Sequence, residues 1–122
     1  MSQAEITAQN VRTYSLIAGI ANGVATILGT IAVFAAGVST LGCGCVLIVF
    51  PILHLVACAI DFLAYARLGD APTAATYSTA KTSAILDLAS GFAIVPLIMG
   101  IMKLQLLGTE EIRAYFGAAP RS

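Results

Sequence analysis

Three long apolar blocks, at 14–38, 41–65 and 82–107, decide what this chain can fold into. Each is longer than the roughly 20 residues an α-helix needs to cross about 30 Å of hydrocarbon. Buried strands are much shorter, and a membrane β-barrel alternates apolar with polar residues at period two, which these blocks do not. Hydrophobic residues make up 59% of the 122 and charged ones 10%, more apolar surface than a water-soluble chain this small can hide. The expectation is an all-α integral membrane protein forming a single domain over 1–122. It has three transmembrane helices at about 14–38, 41–65 and 82–107, and a short interfacial helix at about 109–116.

Arg12 ahead of the first block imitates a secretory signal, but the run is long for such a segment, and it is read as a retained span. Before it, Ser2 and Glu5 have capping-box spacing, which predicts a short surface helix. The link at 37–42 is tiny and uncharged, so spans one and two form a tight hairpin. The next link contains Gly69, Asp70 and Pro72, all helix-stopping. Beyond the third span, Gly108 suits a left-handed cap and Thr109 can cap a helix begun by Glu110 and Glu111. Ile112, Tyr115 and Phe116 share one face of it, as in a helix lying on a membrane.

Three spans put Tyr14, Tyr65 and Tyr77 at one interface and Tyr115 at the other. They also divide the cations evenly, with Arg12, Arg67 and Lys81 on one side and Lys103, Arg113 and Arg121 on the other, so charge leaves the orientation open. Six basic residues balance six acidic ones. That gives no nucleic-acid footprint and no polybasic lipid-binding arm.

Membrane helices meet through small residues and a few polar ones. Gly19 and Gly23 form a GxxxG pair, and with Ser15, Asn22, Thr26 and Thr30 they make a packing face; the alternative is a pore or ligand lining. On span two, Cys43, His54, Cys58, Asp61 and Tyr65 recur at helical spacing. His54 and Cys58 are four apart and could reach one ligand or relay a proton. A metal site needs three or four ligands, and the chain has no CxxC pair and no second histidine, so no metal and no cofactor are expected. A histidine hydrogen-bonded across helices is the plainer reading. Cys43 and Cys45 read as soft packing residues rather than a disulfide framework.

Carboxylates within a span are costly unless paired, protonated or near the interface. If spans two and three fold back about residue 74, Asp61 lies level with Asp87, and Arg67 with Lys81 nearer to water. These four are expected to form one polar cluster, either fixing hairpin register or serving as a proton or cation site. By the same register Pro51 and Pro96 fall at nearly one depth, as matched mid-bilayer kinks.

The tail carries Glu111, Ile112, Arg113, Ala114, Tyr115 and Phe116 after an apolar helix. It resembles the ends of uncharacterised small bacterial multi-span membrane proteins, which close on an acidic residue, Ile or Val, a basic residue and Ala-Tyr-Phe. The resemblance covers about a sixth of the chain. It implies a helical membrane fold and a bacterial inner, or cytoplasmic, membrane, with no activity attached. With no catalytic constellation, the expected function is non-enzymatic. The chain reads as a small subunit packing against itself or a larger membrane complex, its partners being the lipid bilayer and other subunits. The alternative is a homo-oligomeric channel or proton/ion pathway using Asp61, Asp87 and His54.

Overall fold

The computed structural model describes residues 1–39, 43–91 and 93–119, apart from the side chains of 43–45. The first link and the side chains of Cys43 and Cys45 therefore lie largely outside the described residues. The described residues are helical, in the order α1 Gln3–Ser39, a 3-10 turn Cys43–Ile48, α2 Val49–Arg67, α3 Ala74–Ala89, α4 Ile94–Leu107 and α5 Glu110–Tyr115.

Two helices, Gln3–Ser39 and Val46–Arg67, are long and apolar enough to cross a membrane. The capping box forms, with Ser2 N donating to Glu5 Oε2 at 2.6 Å and Glu5 N to Ser2 Oγ at 3.2 Å. It opens a helix that runs on without interruption into the first apolar block, so no separate surface helix precedes it. The GxxxG face packs on α2. A Cβ added at Gly19 would stand 3.2 Å from Asp61 Cβ, and one at Gly23 3.5 Å from Cys58 Sγ.

The third block does not form one helix. It breaks at 90–93, where Gly91 N bonds to Leu88 O and Ala93 N to Ser90 O, and α4 folds back antiparallel on α3. Tyr77 Oη donates to Leu107 O at 2.9 Å near the open end of this hairpin. Nearer its tip, a Cβ on Gly100 would stand 2.9 Å from Ala84 O. The cause is local: Ser90 and Gly91 weaken the helix, and Pro96 suits a first turn, where its missing N–H goes unused. The two arms, about 24 and 21 Å long at 1.5 Å per residue, each fall short of a full crossing.

Pro51 likewise sits in the first turn of α2, so neither proline is a mid-helix kink. Nor do they share a depth. Pro51 packs beside Gly29 of α1, whereas Ser90 at the α3–α4 tip bonds to Asn22, about 10 Å away along the helix.

Folding back returns the C-terminus to the end where the chain begins. There Ala4, Ala8, Val11, Tyr77, Ala80, Leu107, Ile112 and Phe116 form a buried core. Helix α5 thus turns its apolar face into the bundle, with Ile112 and Phe116 buried. Gly108 stays right-handed at φ −77° and Thr109 makes no side-chain cap; the positive φ falls instead at Gly117. Tyr115 now shares a cleft with Arg12 and Leu68, on the same end as Tyr65 and Tyr77. Arg12, Arg67, Lys81 and Arg113 also gather at this end: Arg12 Nε donates to Tyr65 O, Arg67 to Thr79, and Arg113 lies over Tyr77. Among the described residues these four cations lie together at one end and Lys103 is buried between the helices, in place of the even division expected from three spans; Arg121 lies outside the described residues.

Candidate functional site

Asn22, on the buried face of α1, is the hub of a polar cluster drawn from four helices. Its Nδ2 donates to Asp61 Oδ2 of α2 at 3.0 Å and to Asp87 Oδ1 of α3 at 2.8 Å. Carboxylate oxygens accept, so these two bonds fix which way the amide faces. Its Oδ1 then receives His54 Nδ1 at 2.8 Å and, more weakly, Ser90 Oγ at 3.4 Å. An amide oxygen cannot donate, so His54 Nδ1 carries a proton and donates it to Asn22. One asparagine thus uses both donors and bonds His54 through its oxygen, while the single Ser90 hydroxyl proton is shared with Asp87 O at 3.1 Å.

The cation is Lys103 of α4. Its Nζ lies 2.9 Å from Asp61 Oδ1 and 2.5 Å from Asp87 Oδ2, and it donates to Ser83 Oγ at 2.5 Å. Ser83 Oγ in turn donates to Asp61 Oδ1 at 2.6 Å. The Asp87 Oδ2 contact is an ion pair without hydrogen-bond geometry. Asn22, Asp61, Asp87, Ser83, Ser90 and Lys103 are all fully buried, and His54 is 6% exposed. Asn22 stands eight residues along α1 from Tyr14, so the cluster lies about 12 Å further along the helix axis.

The structure brings Asp61 and Asp87 together but leaves Arg67 and Lys81 apart from them. Both cations are exposed, Arg67 donating to Thr79 Oγ1. The register about residue 74 put them above the acids. It could not see that the hairpin tip returns a lysine directly beneath. Cys58 stays outside the cluster, against Gly23, so His54 and Cys58 do not converge on one ligand. Thr26 and Thr30 bond back to the carbonyls of Asn22 and Thr26 on their own helix and take no part in the cluster's hydrogen bonds.

Lys103, Ser83 and Ser90 escaped the sequence reading. A straight helix over 82–107 holds Asp87 and Lys103 about 24 Å apart, and only the break at 90–93 closes that gap. The available signal was a lone lysine inside an apolar run, which calls for a carboxylate partner. Among the described residues, no group of three or more His, Cys, Asp or Glu is arranged to hold a metal ion.

Electrostatically the cluster is unbalanced. With both acids ionised, two negative charges face the one ammonium of Lys103. An uncompensated charge in a dry, low-dielectric site is expensive. A proton shared within the group balances it without any further ligand. Comparison with known protein families, with curated proteins and with solved structures finds no match to this chain.

Proposed function

We propose that this chain is a non-enzymatic integral membrane protein of the bacterial inner membrane that holds and exchanges a proton at its buried cluster. It serves as the proton-bearing element of a small homo-oligomeric pathway or of a larger membrane complex. The observation that carries this reading is the charge count of Asp61, Asp87 and Lys103 in full burial, with His54 joined to both acids through Asn22. Stability alone does not call for such a group, because well-packed apolar residues of similar volume are often as good or better. Ionisable residues inside a membrane mark proton relays and ion paths, and a histidine joined to both acids can carry a proton within the group.

The one-sided distribution of Arg12, Arg67, Lys81 and Arg113 supports a cytoplasmic location for both ends of the described chain. In that topology α1 and α2 cross the bilayer and α3–α4 is a re-entrant hairpin, with Ser90 of its turn buried and Gly91 and Ala93 half-buried.

The test is infrared difference spectroscopy of the purified protein together with proton flux in liposomes. A protonated, water-excluded carboxyl gives a carbonyl stretch absent from carboxylates. We expect that band at neutral pH, its loss in the Asp61→Asn/Asp87→Asn double variant, and reduced proton exchange in Asp87→Asn. Absence of the band in the wild type sinks the proposal.

A packing subunit is the second reading. It is favoured by the far half of α1 and α2, where Ile27, Leu28, Ile31, Phe34, Val38, Ile52 and Leu55 are exposed beyond the reach of the short hairpin. Crosslinking in native membranes that yields only monomer rejects it.

A further inference from the structure

At the charged end, α3, α4 and the start of α5 enclose a cleft of about 230 Å³ lined by Tyr77, Lys81, Leu104, Leu107, Gly108 and Arg113. Two cations face this one space, and no carboxylate among the described residues lies within ion-pair range of either. The charges of Lys103 are spent on the acids, whereas Lys81 is exposed with no hydrogen bond or ion pair among the described residues. Arg113 is already oriented: its guanidinium donates to Ala119 O and stands 5.8 Å from the centre of the Tyr77 ring. Tyr77 is itself anchored by its bond to Leu107 O. Like charges sharing a cleft repel unless an anion lies between them.

The walls narrow the choice of anion. Leu104 and Leu107 make one side apolar, and Tyr77 and Arg113 place the mouth at the level of the interfacial rings and cations. A free anion gains nothing from a leucine wall, but a molecule with a phosphate head and hydrocarbon tails matches both sides of the cleft. Building on the membrane reading above, we propose that Lys81 and Arg113 bind the phosphate head of an anionic glycerophospholipid, with its acyl chains running along Leu104. Resting on the α3 and α4 arms together, such a lipid braces the hairpin that carries Asp87 and Lys103.

Native mass spectrometry of the full chain in detergent tests this, with phosphatidylglycerol, phosphatidylcholine and inorganic phosphate as probes. Wild-type protein is expected to retain phosphatidylglycerol in preference to phosphatidylcholine. Lys81→Gln and Arg113→Gln should each weaken that retention roughly fivefold, from about 1 kcal/mol per surface cation, and the double variant about 25-fold. Retention within twofold of wild type in the double variant overturns the site. Displacement of the lipid by an equal concentration of inorganic phosphate overturns the lipid assignment in favour of a free anion. Because Arg113 also holds the C-terminal tail, Lys81→Gln alone decides if Arg113→Gln perturbs α5. Alkaline carbonate extraction separates the two readings: release into the soluble fraction defeats membrane insertion, whereas retention without phosphatidylglycerol preference defeats this inference alone.

Discussion

Asn22 and Asp87, 65 positions apart in sequence, share a 2.8 Å hydrogen bond with no water-accessible surface on either residue. That bond ties α1 to the α3 arm near the tip of the α3–α4 hairpin. The same amide also reaches Asp61 and His54, so α1, α2 and α3 meet at one side chain. Replacing it strands several partners at once.

Asn22→Leu is therefore expected to cost about 3 kcal/mol or more, since bonds to charged groups are worth about 1.5–3 kcal/mol and the orphaned carboxylates stay buried. Thermal unfolding in detergent checks it. A loss below about 1 kcal/mol means that the hub is replaceable.

The sequence was legible where a single helix decides the outcome. The apolar blocks of α1 and α2, the Ser2–Glu5 capping box and the GxxxG contact with α2 all follow from local pattern. The third block was not. Its apolar run is continuous, and hydropathy does not distinguish one 26-residue span from two antiparallel arms of 16 and 14 residues. What decides is the exchange of one stretch of helix for the contacts of Gly100 with Ala84 and of Lys103 with both acids, which are long-range. That single difference displaced Tyr115, Arg113 and Lys103 from their expected ends, and with them the cation partner of Asp61 and Asp87.

The hairpin depends on close approach at Gly100. An added Cβ meets Ala84 O at 2.9 Å and Leu88 N at 3.2 Å, both backbone atoms that cannot swing aside. Gly100→Ala is expected to destabilise by about 1–3 kcal/mol, as overpacking does, despite the better helix propensity of alanine. Equal or higher unfolding temperature in detergent counts against the antiparallel packing.

Topology gives a second check on the same feature. A re-entrant hairpin leaves Thr7, Asp70 and Glu111 at one end of the bundle. Single cysteines placed at these positions in a Cys-free background should react with an impermeant maleimide from the same, cytoplasmic side. Labelling of position 111 from the side opposite to position 70 restores the third crossing.

Outside the membrane, Glu5 titrates below its ordinary value near 4.5, held there by the backbone N–H and then the hydroxyl of Ser2. A lowered folded pKa stabilises above the ordinary value and is lost as pH falls through the folded one. Amide exchange in the first turn of α1 should therefore accelerate only below the usual carboxylate range. Ser2→Ala should move that onset upward, and an unchanged onset rejects the capping box.

The sharpest prediction concerns the asymmetry between Lys103 and Asp87. Removing the lysine takes away the ammonium that pairs with both buried acids, and breaking a buried ion pair from one side typically costs about 3–5 kcal/mol. Removing Asp87 leaves Asp61 and Lys103 as a balanced pair. Asp61 still accepts from Lys103, Ser83 and Asn22 at 2.9, 2.6 and 3.0 Å. An asparagine at position 87 retains an oxygen for the Asn22 amide and needs no shared proton. Asp87→Asn should thus cost under about 1.5 kcal/mol, whereas Lys103→Met should cost about 3 kcal/mol or more. The double variant, left with a single acid that one proton neutralises, should recover part of the loss caused by Lys103→Met. Denaturant titration of the four proteins in one detergent measures the cycle. If Asp87→Asn proves as damaging as Lys103→Met, the two acids share no proton and the cluster is held by ion pairing alone.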